Sequence, residues 1–255
     1  MSRFLAAFYH LLISFIVFLF LAYLVLFVWY PDFFYTIDGG WEGMRIIIGV
    51  DLVLGPLLTL IVFKAGKPGL KFDLAVIGLF QSVCLIAGTW VVYQERPLFF
   101  VYYEDRFYSA NADTFARYDQ PVPNPARYSD RSPAIVAAAV PTDPIEEADF
   151  RERLYKQGVP IWVYADSYEP LAQHMERVMS RGFPLEELQA RDTEGRLEVF
   201  LAEHGGTAED YLFLPAYSRY QNPFIAIRRA DQQLVDILQV ESPLAALPDA
   251  DTPDT

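Results

Sequence analysis

From Phe4 to Pro31 the chain carries no Asp, Glu, Lys or Arg, and no other feature restricts its fold as strongly. The run LLISFIVFLFLAYLVLFVWY is almost wholly apolar. A bilayer core takes about 20 such residues as a helix. The competing reading is a cleaved secretory signal with Arg3 as its positive region. The stretch is far longer than the roughly 7–15 residues of a signal's apolar region. It also ends on bulky Val28-Trp29-Tyr30-Pro31 rather than at a small-x-small site. It therefore reads as an uncleaved anchor over about 4–30, with Trp29 and Tyr30 in an interfacial aromatic belt.

Two further spans are predicted, over about 44–63 and 74–93. Trp90 and Tyr93 mark the end of the third. The link between the second and third spans holds Lys64, Lys67 and Lys71, and the link before the second holds Asp32, Asp38 and Glu42. Excess Lys and Arg marks the cytoplasmic side. That places the N-terminus and the lysine loop in the cytoplasm, and everything from Gln94 on the far side, the periplasm of a bacterial inner membrane. The charge agrees with this division. Residues 1–93 hold 5 basic and 5 acidic residues, so the remaining 15 and 28 give the second part the whole net charge of −13. An acidic domain is a poor nucleic-acid binder, which needs a basic stripe for the phosphates. The single cysteine, Cys84, excludes an internal disulfide and a cysteine-rich metal site.

Inside the second span, Asp51 is costly in hydrocarbon unless protein covers it. It either holds the three helices together as a protonated or hydrogen-bonded group, or contacts another membrane helix. Counted by helical rise, Tyr23 and Thr89 are its candidate partners within the bundle. Pro56, after Gly55, lacks a backbone donor and predicts a kink; with Asp51 it forms the candidate intramembrane contact. Arg45 is expected to snorkel or to pair with Glu42, and His10 to be an interfacial polar residue.

The second part reads as a small α+β domain over 94–240 with mostly antiparallel strands, followed by a disordered acidic tail over 241–255. Leu98–Tyr103 and Arg106–Ala110 form a hairpin around Glu104-Asp105, although the turn lacks the glycine a type I′ turn prefers. Tyr118 to Pro144 is largely loop, with one strand at Ala134–Val140. Asp143 caps a helix to about Gln157, with Pro144 at its first position. Ile161–Tyr164 reads as a buried strand. Helices are expected from near Ser167 to Gly182 and from a Thr193 cap to Gly205. Tyr211–Ala216, Pro223–Arg229 and Gln233–Val240 complete the strands. There is no nucleophile elbow, P-loop or zinc-protease motif. His174 and His204 lack partners at metal or triad spacing, and the Glu146-Glu147 and Glu186-Glu187 pairs suit the first turns of helices. Tyr102, Tyr103, Phe107 and Tyr108 read as sheet packing. No catalytic residue, metal or cofactor is predicted.

The membrane part resembles a known family. Val28-Trp29-Tyr30-Pro31, Asp38-Gly39-Gly40-Trp41-Glu42-Gly43, the run GVDLVLGPLLTLIVFKAGKPGLKFDL (Gly49–Leu74), and Gly88-Thr89-Trp90-Val91-Val92-Tyr93 with Glu95-Arg96-Pro97 are similar to the type IV pilin accessory proteins of the TfpX/TfpZ group. The likeness covers about residues 25–100. It implies an inner-membrane factor that helps the major pilin reach the pilus. Membrane lipid and the pilus assembly platform are further expected partners. The resemblance implies no established catalytic residues. Asp51, Gly55 and Pro56 match its motif as positions only. The expectation is thus a non-catalytic, chaperone-like accessory factor that binds pilin. The alternatives are a membrane-anchored enzyme modifying pilin or envelope components, and a structural subunit of the assembly machine.

Overall fold

The computed structural model describes residues 2–240 and 242–243. The chain forms two compact units, Met1–Arg96 and Pro97–Thr255. The first holds three helices long and apolar enough to cross a membrane, and the second an α+β domain on one sheet. This is the expected fold class.

The spans are Arg3–Trp29, Gly40–Val62 and Leu70–Gln94. The second and third begin earlier than the hydropathy suggests, because Gly39 (φ 97°) and Gly69 (φ 81°) supply left-handed N-terminal turns. Glu42 and Asp73 then fall in first turns, where the helix dipole favours an acid. A one-turn helix, Phe34–Ile37, precedes the second span. Two stretches, Leu24–Trp29 and Ile48–Leu54, wind as wider π-helix. Leu21, Val25, Tyr30, Met44, Ile47 and Val92 form the apolar core of this unit. The Tyr30 hydroxyl donates to the Val92 carbonyl at 2.8 Å. Gly43 lets the second and third helices approach, since a Cβ there would lie 2.6 Å from Val92 Cγ2.

The second unit carries β1 (Phe99–Tyr103), β2 (Arg106–Ala110), β3 (Ala134–Ala138), β4 (Tyr168–Pro170), β5 (Tyr211–Tyr217), β6 (Phe224–Arg228) and β7 (Leu234–Leu238). Their order is β4-β3-β1-β2-β5-β6-β7. Neighbours pair antiparallel except β1 with β3 and β2 with β5. The β2–β5 junction has only two residue pairs, Phe107–Ala216 and Tyr108–Tyr217. One core gathers Phe99, Phe115, Leu154, Val163 and Tyr168 around β1 and β3, and another gathers Leu188, Leu197, Phe200 and Phe224 around β5 to β7. Phe107 is fully buried and stacks on Phe100, so these sheet aromatics do pack.

The hairpin turn is made without glycine: Glu104 (φ 47°) and Asp105 (φ 65°) are both left-handed. Its clamp is Arg151, which donates to Glu104 Oε1 at 2.8 Å, to the Tyr103 hydroxyl at 2.6 Å and to Glu147 Oε1 at 2.9 Å. Asp143 caps Pro144–Gln157 by accepting from the N–H groups of Ile145 and Glu146.

Several local expectations are corrected. Ile161–Val163 is a 3-10 turn rather than a strand; a short apolar run after Pro160 buries Val163 without needing a ladder partner. No helix starts at Ser167. Pro170 disfavours helix at Glu169, so β4 comes first, then a 3-10 turn, Leu171–His174, and a short helix, Met175–Met179. Asp192, not Thr193, serves the next helix, Arg196–His204, accepting from the N–H groups of Arg196 and Leu197 at 2.8 Å each. A helix at Ala112–Arg117, held by an Asn111–Thr114 capping box, was not predicted. The expected tail over 241–255 lies outside the described residues apart from Ser242 and Pro243; the Ser242 N–H donates to the Asn222 carbonyl.

Candidate functional site: a polar network inside the helix bundle

The apolar first unit contains one connected set of polar side chains, drawn from all three spans. Asp51 is 3% exposed. Its Oδ1 accepts from the Ser14 hydroxyl at 3.1 Å and from Gln81 Nε2. Gln81 Oε1 meets His10 Nε2 at 2.8 Å, and His10 Nδ1 meets Thr59 Oγ1 at 2.5 Å. The chain therefore runs Ser14–Asp51–Gln81–His10–Thr59. Ser14 and Thr59 are buried with Asp51. Asp51 Oδ2 has no hydrogen-bond partner among the described residues.

The helix backbone explains how the network is admitted. Around Asp51 the ladder is wide, with the Gly55 N–H reaching the Val50 carbonyl five residues back. The same pattern would pair the Asp51 carbonyl with the N–H of residue 56, which is proline and has none. Gln81 Nε2 takes that carbonyl instead, at 3.3 Å. Pro56 acts here by freeing an acceptor for a side chain of another helix. Gly55 provides the room, since a Cβ there would sit 2.6 Å from Gln81 Nε2 and 2.7 Å from its Cδ. A wide turn, a proline and a glycine thus cooperate to seat one glutamine.

Of the sequence-predicted residues, Asp51 faces the bundle, but its predicted partners are corrected. Tyr23 is 57% exposed, and Thr89 Oγ1 is buried with no partner among the described residues. Neither bonds Asp51. Ser14, Asp51 and Gln81 each lie 11 residues from the lysine-loop end of their helix, at Arg3, Val62 and Leu70. Tyr23 and Thr89 are two or more turns further along. Tyr23 also lies on the opposite face from Ser14, because nine residues are two and a half turns. Ser14 and Gln81 were missed, because their match in depth to Asp51 emerges only from the observed helix ends and not from the spans that hydropathy predicts. His10 is a network member rather than an interfacial residue. Arg45 stacks over the Trp41 ring rather than pairing with Glu42.

In the second unit, each histidine has one carboxylate neighbour: His174 Nε2 is 2.7 Å from Glu169 Oε2, and His204 Nε2 is 3.3 Å from Asp236 Oδ2. The first pair lies at a turn and the second at a helix end. No group of three or more His, Cys, Asp or Glu able to hold a metal occurs among the described residues.

Comparison with known proteins bears on the first span, which carries His10 and Ser14. The family model described as "Fimbrial assembly protein FimB" matches residues 1–39. Three fimbrial assembly proteins of Dichelobacter nodosus are similar. The serogroup E1 protein is 38% identical over 96 residues, 36% of this chain and 37% of its own length. The serogroup I protein is 37% identical over 100 residues, 38% of each chain. The match therefore spans less than two fifths of these two relatives. The protein of serogroups C1 and C2 is 36% identical over 96 residues, 36% of this chain and 72% of its own length. No solved structure matches. A chain that covers nearly three quarters of one such relative at this identity belongs to the fimbrial assembly protein family.

Proposed function

We propose that the protein is a bacterial inner-membrane accessory factor that binds type IV pilin and assists its assembly into the pilus without catalysing a reaction. The observation that carries this reading is the network within a chain of this family: His10, Ser14, Asp51, Thr59 and Gln81 hydrogen-bond to one another across three spans and tie the bundle together. Pinned helices suit a scaffold against which another membrane helix packs. In this reading Arg3 and the lysine loop face the cytoplasm and the second unit lies in the periplasm, beside the pilin head. Both partners share one membrane, so confinement raises their effective concentration and a weak contact suffices. Weak contact also lets the client leave for the growing fibre.

Crosslinking from positions in both units, with identification of the captured protein, tests the reading together with gene deletion. Deletion lowers surface pili and twitching motility while membrane pilin persists, and pilin is captured. If the intact mass of pilin shifts on deletion, the enzyme reading replaces this one. Stoichiometric co-purification with the assembly platform in cells lacking pilin favours a structural subunit. Unchanged piliation with no captured pilin overturns the proposal.

A further inference from the structure

The network poses a charge problem that its geometry answers. Between Arg3 and Asp32 the one acid, base or histidine is His10; between Arg45 and Lys64 it is Asp51; between Asp73 and Glu95 there is none. The first span thus presents His10 and the second Asp51. The third presents neutral Gln81, with partly buried Cys84 one turn on. An ionised Asp51 beside a neutral His10 would bury a net negative charge with no cation near it, and a buried unpaired charge is the most expensive arrangement available. A protonated Asp51 beside a protonated His10 would bury a net positive one.

We propose that the His10–Gln81–Asp51 chain is a proton-binding site that holds one proton, so that the bundle interior is neutral. Two placements of that proton fit the observed bonds without moving a heavy atom. In one, the proton is on Asp51 Oδ2, the oxygen with no partner among the described residues, while Oδ1 accepts from Ser14 and Gln81. His10 then donates from Nε2 to Gln81 Oε1 and accepts from the Thr59 hydroxyl at Nδ1. In the other, the O–H bond is absent, Nδ1 carries the proton, and the Thr59 hydroxyl turns to accept it. Gln81 suits both, with its amide N–H₂ toward Asp51 and its carbonyl toward His10. In the second placement its dipole lies between anion and cation with each end facing its opposite. The site does not depend on the pilin reading, because it is a property of the bundle alone.

Two spectroscopic readouts on the full chain in lipid bilayers decide it. Infrared spectra with aspartate-specific ¹³C labelling report whether Asp51 is a carboxylic acid or a carboxylate. Asp51→Asn assigns the band, and Asp51→Glu does so if the first variant does not insert. Nitrogen NMR of ¹⁵N-histidine, in a chain with His174 and His204 replaced, reports whether His10 carries one proton or two. At neutral pH one of the two groups is protonated and the other is not: a carboxylic acid with neutral imidazole, or a carboxylate with imidazolium. A carboxylate with neutral imidazole overturns the proposal, as does a carboxylic acid with imidazolium.

Discussion

Gly55→Ala isolates the polar network from the general packing of the bundle. In a helix interior alanine is favoured over glycine by about 1 kcal/mol, so a bare propensity argument predicts stabilisation. At Gly55 the added methyl would overlap the Gln81 amide. The overlap alone is cheap, because the amide ends a flexible side chain that can rotate away. Rotation, however, removes the donor to Asp51 Oδ1 and to the Asp51 carbonyl, and the acceptor of His10. Intramembrane hydrogen bonds average about 0.6 kcal/mol each, with a maximum near 1.7. Stranding a buried polar group costs about 1–3 kcal/mol. Against about 1 kcal/mol of propensity, the balance is a net loss of about 1–2 kcal/mol. Gly78 is the internal control, since a Cβ there meets nothing within 4 Å and Gly78→Ala carries only the favourable part. Unfolding in mixed micelles titrated with a denaturing detergent, followed by helicity, measures both. A Gly55→Ala protein as stable as Gly78→Ala refutes the argument. So does additivity with Gln81→Ala, because removing the glutamine restores the space and should erase most of the cost.

Asp51→Asn keeps the bundle folded, because an amide accepts the Ser14 and Gln81 bonds at lower desolvation cost; helicity in detergent within about 1 kcal/mol of the parent is the expected result. A reporter active only outside the cytoplasm is active when fused after residue 110 and silent in the Lys64–Lys71 loop, and the reverse pattern inverts the proposed orientation. Acid weakens the clamp of the β1–β2 turn. Burial raises the affinity of the Glu104 carboxyl for its proton, but hydrogen bonds from Tyr103 and Arg151 outweigh this and hold it below the usual glutamate range. Its contribution is therefore complete above the unfolded value and lost as the pH falls through the lowered folded one. Because the pair is half exposed, the effect is within about 1 kcal/mol, and Glu104→Gln should flatten that part of the acid limb of a pH–stability curve.

Much of the fold could be read from the chain because it depends on neighbours in sequence. The hydropathy of three runs gave the spans, and Asp143 with Pro144 gave a helix start whose donors and acceptor are now visible. Local reading failed at the helix expected to start from Thr193, where the Asp192 carboxylate reaches two N–H groups instead. The tight turn at Glu104-Asp105 offered no glycine, and the bonds that hold it come from Arg151, which is 47 residues away from Glu104 in sequence.

The sequence by itself determined that three helices form, that a strand-rich acidic unit follows them, and that an aspartate in hydrocarbon must be answered by a partner. Only the tertiary structure decided which partner. Ser14 is 37 residues from Asp51, and His10 is 71 from Gln81, so their meeting depends on which faces the helices turn toward one another. The same holds for the parallel pairings of β1 with β3 and β2 with β5, which join segments separated by whole helices. Hydropathy and capping act within a few residues and leave a local trace. Register and facing are set by closing long loops over a shared core, and no residue records the position of a partner that distant.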